Sequence, residues 1–176
     1  ADGKYLFYSV KDDTLRPCKI MRHELGQAPQ DDVVVYEETD ETFRAFVYRS
    51  KSMKYIIFGS VQTLSAEYHL LRADDPLGSP RVFQAREREL EYGIAHIDDH
   101  FYVLTNLNAK NFQLMVTPED ATAKDNWKTV IPHRDDVLLE NVDLFRDFLV
   151  LSERKNGLTD LRIRPLDGSP EHYLEF

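Results

Sequence analysis

Four stretches of this chain read alike and recur at nearly constant spacing. They are Tyr5-Leu6-Phe7-Tyr8-Ser9-Val10, Tyr55-Ile56-Ile57-Phe58-Gly59-Ser60, Phe101-Tyr102-Val103-Leu104-Thr105-Asn106 and Phe148-Leu149-Val150-Leu151-Ser152-Glu153, with starts 50, 46 and 47 residues apart. Each is six residues long, aromatic and aliphatic, and bounded by turn formers, which marks a buried strand rather than a helix. A strand-built repeat of this length predicts a β-propeller blade, a four-stranded antiparallel meander. The chain therefore reads as all-β: a partial propeller of about four blades.

Labelling the strands of a blade A to D from the inside out, the second blade is the clearest. Its strands are expected near Phe43–Arg49, Lys54–Val61, Glu67–Ala73 and Arg81–Ala85. The third takes Tyr92–Ile97, His100–Thr105, Asn111–Thr117 and Trp127–Ile131. The fourth takes Leu138–Leu144, Asp147–Glu153, Thr159–Pro165 and His172–Phe176. The first blade lacks strand A and supplies only Lys4–Val10, Pro17–Leu25 and Val33–Glu37. Approximate blade limits are 1–38, 39–86, 87–132 and 133–176, within one domain. The only helical candidate is one short turn at Pro118–Lys124. Both ends fall at or within strands, so the chain reads as a piece of a longer polypeptide. The missing inner strand leaves an unpaired edge, and self-association of the piece is expected there.

With 31 acidic against 22 basic residues, the formal charge is −9. That disfavours nucleic acid and anionic membrane as partners and favours cationic ligands. Cys18 is the only cysteine, which excludes an internal disulfide framework. There is no Asn-x-Ser/Thr sequon, signal peptide or long apolar run, and a cytoplasmic setting is expected.

In a meander, the D-to-A and B-to-C connections share one end of the sheets. Sorting the loops this way gathers Lys11–Arg16, Thr39–Thr42, Arg86–Glu91, Leu107–Lys110, His133–Asp136 and Arg154–Gly157. These loops are densely charged, whereas the opposite end carries short turns and Pro/Gly/Ser loops. Arg86, Glu91, Arg134, Asp135 and Arg154 are the candidates for a docking or gating surface. The plainer alternative is that these charges only keep the loops solvated.

No catalytic residue is assigned. Phe58-Gly59-Ser60-Val61-Gln62 lacks the second glycine of a nucleophile elbow and sits in a strand. No glycine-rich phosphate loop is present. His96-Ile97-Asp98-Asp99-His100 flanks a β-turn rather than one face of a helix, so no metal is expected there, and Asp98-Asp99 is turn chemistry. No cofactor is implied. Cys18 reads as a small, buried or half-buried hydrophobe.

The loop residues also carry a resemblance. Thr14-Leu15-Arg16-Pro17 followed by Arg22-His23-Glu24-Leu25-Gly26 resembles the oligopeptidase B (protease II) family of serine peptidases, in the prolyl oligopeptidase superfamily. So do Arg86 with Glu91-Tyr92, the stretch from Thr105-Asn106 to Ala109-Lys110-Asn111-Phe112, and Glu153-Arg154 with Gly157-Leu158-Thr159-Asp160-Leu161. Leu90 departs from the polar residue expected before Glu91-Tyr92. The resemblance implies a propeller that caps an α/β-hydrolase domain of the same parent chain and restricts access to short peptides. It also implies cleavage after Arg or Lys, by a Ser, Asp and His triad that nothing in this chain matches. On this reading the chain is a non-catalytic gating piece, inactive alone, whose charged loops meet the hydrolase domain. A stand-alone propeller scaffold for protein interaction is the alternative, although no Trp-Asp repeat signature is present.

Overall fold

A computed structural model describes residues 3–175. It contains fifteen strands in four antiparallel sheets, each sheet following chain order. The first sheet has three strands: β1 (Tyr5–Lys11), β2 (Pro17–Glu24) and β3 (Val33–Glu37). The second holds β4 (Arg44–Arg49), β5 (Tyr55–Gln62), β6 (Ser65–Arg72) and β7 (Arg81–Gln84). The third holds β8 (Tyr92–Ile97), β9 (His100–Thr105), β10 (Gln113–Pro118) and β11 (Lys128–Ile131). The fourth holds β12 (Leu138–Leu144), β13 (Phe148–Lys155), β14 (Leu158–Pro165) and β15 (His172–Tyr173). The last residue assigned to β15 from the sequence, Phe176, lies outside the described residues.

The chain forms two compact units, Ala1–Glu89 and Leu90–Phe176, each carrying two sheets. In the first unit the core gathers Ile20 from β2, with Ala45, Phe58 and Leu71 from the second sheet; Phe7, Val35 and Tyr36 pack against it. In the second, Leu114 and Ile131 pack with Leu139, Leu144, Leu149 and Leu151. The repeated stretches contribute to these cores: Phe58, Leu149 and Leu151 are fully buried in them, and Phe101 of the third stretch is fully buried as well. Burying each such side chain contributes about 1.5–3 kcal/mol.

Gly59 has a steric reason to be glycine. It faces Tyr68 across the β5–β6 ladder, and a Cβ there would fall 1.9 Å from the Glu67 carbonyl oxygen. Several strand limits differ from the sequence reading. Phe112 takes φ +61°, so β10 starts at Gln113 rather than Asn111. The β13–β14 hairpin turns on Asn156 and Gly157 alone, at φ +51° and +82°. This is the positive-φ pair that a two-residue hairpin requires. Arg154 and Lys155 consequently lie in β13, not in the loop, and Arg154 pairs with Leu138 and Thr159. The short helical segments are 3-10 turns at Pro29–Asp31 and Lys124–Asn126. Proline at the start of the first, with φ already set, explains a turn that composition alone did not disclose.

Candidate functional site: buried carboxylates at the charged loop ends

In the first unit, three loops converge on Glu38, which follows β3 and is only 6% exposed. Its Oε2 accepts hydrogen bonds from the Ser60 hydroxyl (2.5 Å), the Tyr36 hydroxyl (3.1 Å) and the Arg86 guanidinium. Its Oε1 accepts from the Asp40 amide at 2.9 Å. Arg86 also donates to Ser60 Oγ at 2.7 Å, and its guanidinium carbon lies 3.6 Å from the centre of the Phe43 ring. The Arg86 amide donates to Glu67 Oε2 at 2.9 Å. Arg16, from the β1–β2 turn, donates to the carbonyls of Glu38, Asp40 and Phe43 and to Asp12 Oδ2. The loops 12–16, 38–43 and 85–88 are thus fastened together at one end of this unit.

The electrostatics favour the charged forms. Burial pushes the Glu38 carboxyl up, but the Ser60 hydroxyl, the Arg86 guanidinium and the Asp40 amide outweigh it, and the net shift is downward. For Arg86, burial lowers the pKa and Glu38 raises it, with the raising effect winning. Burial holds the Tyr36 phenol up at about 12, so it stays a donor. Asp12 is held down at about 2, first by the Thr14 hydroxyl.

The second unit has a counterpart around Glu153, whose side chain is 3% exposed at the end of β13. Arg162 of β14 donates to its Oε1 at 2.5 Å; Tyr173 of β15 (2.9 Å) and Arg134 of the β11–β12 loop (3.3 Å) donate to its Oε2. Arg162 also reaches Glu171 at 2.6 Å. Asp136 bridges Arg134 (3.6 Å) and Lys155 (2.9 Å). The Asn111 side chain donates to the carbonyls of Arg134 and Asp135, both at 3.0 Å, which ties the β9–β10 loop to the β11–β12 loop. The pKa of Arg134 is raised, first by its hydrogen bond with Tyr173 and then by the charge of Glu153. An open cleft of about 390 Å³ lies beside the cluster, lined by Arg134, Val137, Glu153, Lys155, Asp160 and Tyr173.

One repeat position underlies both clusters. The sixth residue of the repeated stretch is Val10, Ser60, Asn106 and Glu153 in the four copies. In each four-stranded sheet this side chain bonds a residue of the loop entering that sheet. Ser60 bonds Glu38, Glu153 bonds Arg134, and Asn106 accepts from the Glu91 amide (2.9 Å) and donates to the Glu91 carboxylate (3.2 Å). In the first sheet, where no strand precedes β1 among the described residues, the position is an apolar, 36%-exposed Val10.

The five residues singled out from the sequence are therefore engaged to different degrees. Arg86, Glu91 and Arg134 point their charged groups at partners within their own units. Arg154 pairs with Glu140 at 2.6 Å on the surface of the fourth sheet. Asp135 is fully exposed, 3.9 Å from His133. Arg134 and Asp135 sit on one loop, and Arg134 and Arg154 approach the same strand end. Glu38, Ser60 and Arg162 are not singled out by the sequence, and Asn106 and Glu153 stand there only within the repeat and the family motifs, without a site role. The repeat itself held the signal, since three of its four copies end on a polar residue. His96 turns into the core, with its ring 4.5 Å from Phe101 and Nε2 3.1 Å from Glu119, while His100 is exposed. Cys18 is buried, its thiol facing the Val10 carbonyl at 3.7 Å.

Comparison with known proteins agrees with the loop motifs. The chain is 38% identical over 97% of its length to a dipeptidyl aminopeptidase BI of Pseudoxanthomonas mexicana, and 35% identical over 90% to protease 2 of Moraxella lacunata. Among solved structures, oligopeptidase B of Leishmania major superposes with a TM-score of 0.91 at 28% identity over 99% of the chain. Oligopeptidase B of Trypanosoma brucei, in a closed form with covalently bound antipain, gives 0.89 at 31% over 98%. The chain spans about a quarter of each relative's length: 24% and 23% of the two sequence relatives, 26% of each solved chain. Residues 1–174 match the family described as prolyl oligopeptidase, N-terminal β-propeller domain, and the chain belongs to that family.

Proposed function

We propose that this propeller domain docks through its charged loop ends on the hydrolase domain of a longer oligopeptidase B-like peptidase. There it gates the entry of short basic peptides. The carrying observation is the gathering of the loops in each unit around a buried carboxylate, Glu38 or Glu153. Solvated loops that served only to close hairpins would not require a desolvated charge, which is costly unless paired. The net charge of −9 supports long-range attraction of cationic peptides. A relative described in a closed form supports a docking surface that opens and closes. Among the described residues no strand pairs with the outer edge of β1, where Leu6 is exposed, which supports self-association of the separate chain there.

The test is charge reversal in the longer peptidase, read as turnover of a fluorogenic Arg or Lys peptide. Arg154→Glu and Asp135→Lys are expected to lower kcat/KM at least tenfold more than Asp75→Lys or Lys124→Glu at the opposite loops. Equal and negligible effects at both sets would contradict the docking reading.

A further inference from the structure

Glu38 holds more of the loop end than any residue that the sequence motifs pick out. One carboxylate joins the end of β3 (through Tyr36), the end of β5 (through Ser60), the loop after β7 (through Arg86) and its own loop (through the Asp40 amide). Arg16 adds the β1–β2 turn by gripping three carbonyls of the Glu38–Phe43 segment. Arg16 and Arg86 are 13% and 29% exposed, so their heads serve these internal bonds. The side chains left outward on the same loops include Asp13, Leu15, Asp40, Glu41 and Arg88. Asp40 is itself fixed by the Thr42 amide and hydroxyl, at 2.9 and 2.7 Å. A surface that must meet another domain repeatedly gains from loops that need no reordering at each encounter. A shared buried carboxylate supplies that, because moving any one loop would strip a partner from a desolvated charge.

We propose that Glu38 is a positioning residue for docking: it makes loops 12–16, 38–43 and 85–88 one rigid piece, so that their exposed tips meet the hydrolase domain in fixed register. This rests on the docking reading and deepens it. Ser60 is its helper from the strand, and Arg86 acts from within the domain rather than as a direct contact.

The experiment has two arms. In the first, amide hydrogen exchange is measured on this chain carrying Glu38→Ala or Glu38→Gln. The Asp40 and Arg86 amides are expected to exchange about tenfold faster in the alanine variant; in the glutamine variant, whose single side-chain oxygen keeps one acceptor of the two, the increase at Asp40 should be smaller. The β5 and β6 ladder amides serve as the control for global destabilisation and should keep their protection. In the second arm, the same substitutions are made in the longer peptidase. Glu38→Ala should lower kcat/KM about tenfold for an Arg peptide, with the fraction of enzyme titrated by a serine-directed inhibitor unchanged and with a smaller loss in Glu38→Gln, which keeps one acceptor oxygen. Unchanged exchange at Asp40 and Arg86 overturns the positioning role and leaves the docking reading standing. Faster exchange with unchanged turnover also overturns it, since the loops would then be loosened without consequence. In that case the charge reversals at Arg154 and Asp135 decide the docking reading separately.

Discussion

The two units solve one problem with the charges exchanged. In the first, the buried carboxylate is on the incoming loop (Glu38) and the strand end offers a hydroxyl (Ser60). In the second, the carboxylate is on the strand end (Glu153) and the loop offers the cation (Arg134). A third version, Asn106 with Glu91, uses a neutral amide on the strand. What the fold demands is a bond between the end of the second strand and the loop entering the sheet. Which side carries the charge is free to vary. The surroundings differ in consequence. Glu153 faces two arginines and a tyrosine, one of the arginines from the neighbouring strand β14; Glu38 faces one arginine, two hydroxyls and a backbone amide.

That difference predicts unequal sensitivity. The largest effect is expected at Glu153. Its removal leaves Arg162, 13% exposed, short of its principal counter-charge; a buried, unpartnered Nε is common to Arg86 and Arg162 and does not separate the two clusters. Glu153→Ala should destabilise the chain by about 3–4 kcal/mol, read from the denaturant midpoint at constant m-value. A loss below about 1 kcal/mol would show that Glu171 alone can hold Arg162. Glu38→Ala should cost less, about 2 kcal/mol, because Arg86 is partly exposed and regains water.

The ranking explains what was legible in the sequence. Strand positions were readable because burial dictates composition: Phe58, Phe101, Leu149 and Leu151 had to be apolar, and they recur. The sixth repeat position is harder to read, since Val, Ser, Asn and Glu share little chemistry beyond three of the four being polar. Its meaning lies in a partner 15 to 22 residues away, and the repeat marks the position but not the partner. Arg154 lies in a strand rather than a loop for a local reason: a charged Arg-Lys pair ahead of Asn-Gly reads as loop, but the tight turn at Asn156 and Gly157 returns both residues to the ladder.

The first cluster should also respond to pH. The pKa of Glu38 is lowered in the folded chain, so its stabilisation is fully present above the ordinary glutamate value of 4.5 and is lost as pH falls through the depressed folded value. Glu38→Gln should flatten this part of the acid limb, with stability at pH 7 reduced and the difference from the parent narrowing below about pH 4. A constant difference from pH 7 to pH 3 would mean that the carboxylate charge contributes nothing. The smallest effect is expected at the neutral version: Asn106→Ala should cost about 1 kcal/mol, with no dependence on salt. A salt-sensitive loss there would show that the bond to the Glu91 carboxylate, not the one from the Glu91 amide, dominates the link.

The exchange of roles between the units can be transplanted. Glu38→Ser with Ser60→Glu moves the carboxylate of the first unit from loop to strand, which is the arrangement of the second, while Arg86 and Tyr36 remain to receive it. Denaturant unfolding of the two single variants and the double variant tests this directly. Each single change should lose about 2 kcal/mol or more, one by leaving Arg86 without its carboxylate and the other by crowding two carboxylates together. The double variant should lie within about 1 kcal/mol of the parent, a favourable coupling between the two positions. Simple addition of the two losses would contradict the claim that the fold requires the bond and not a particular bearer of the charge.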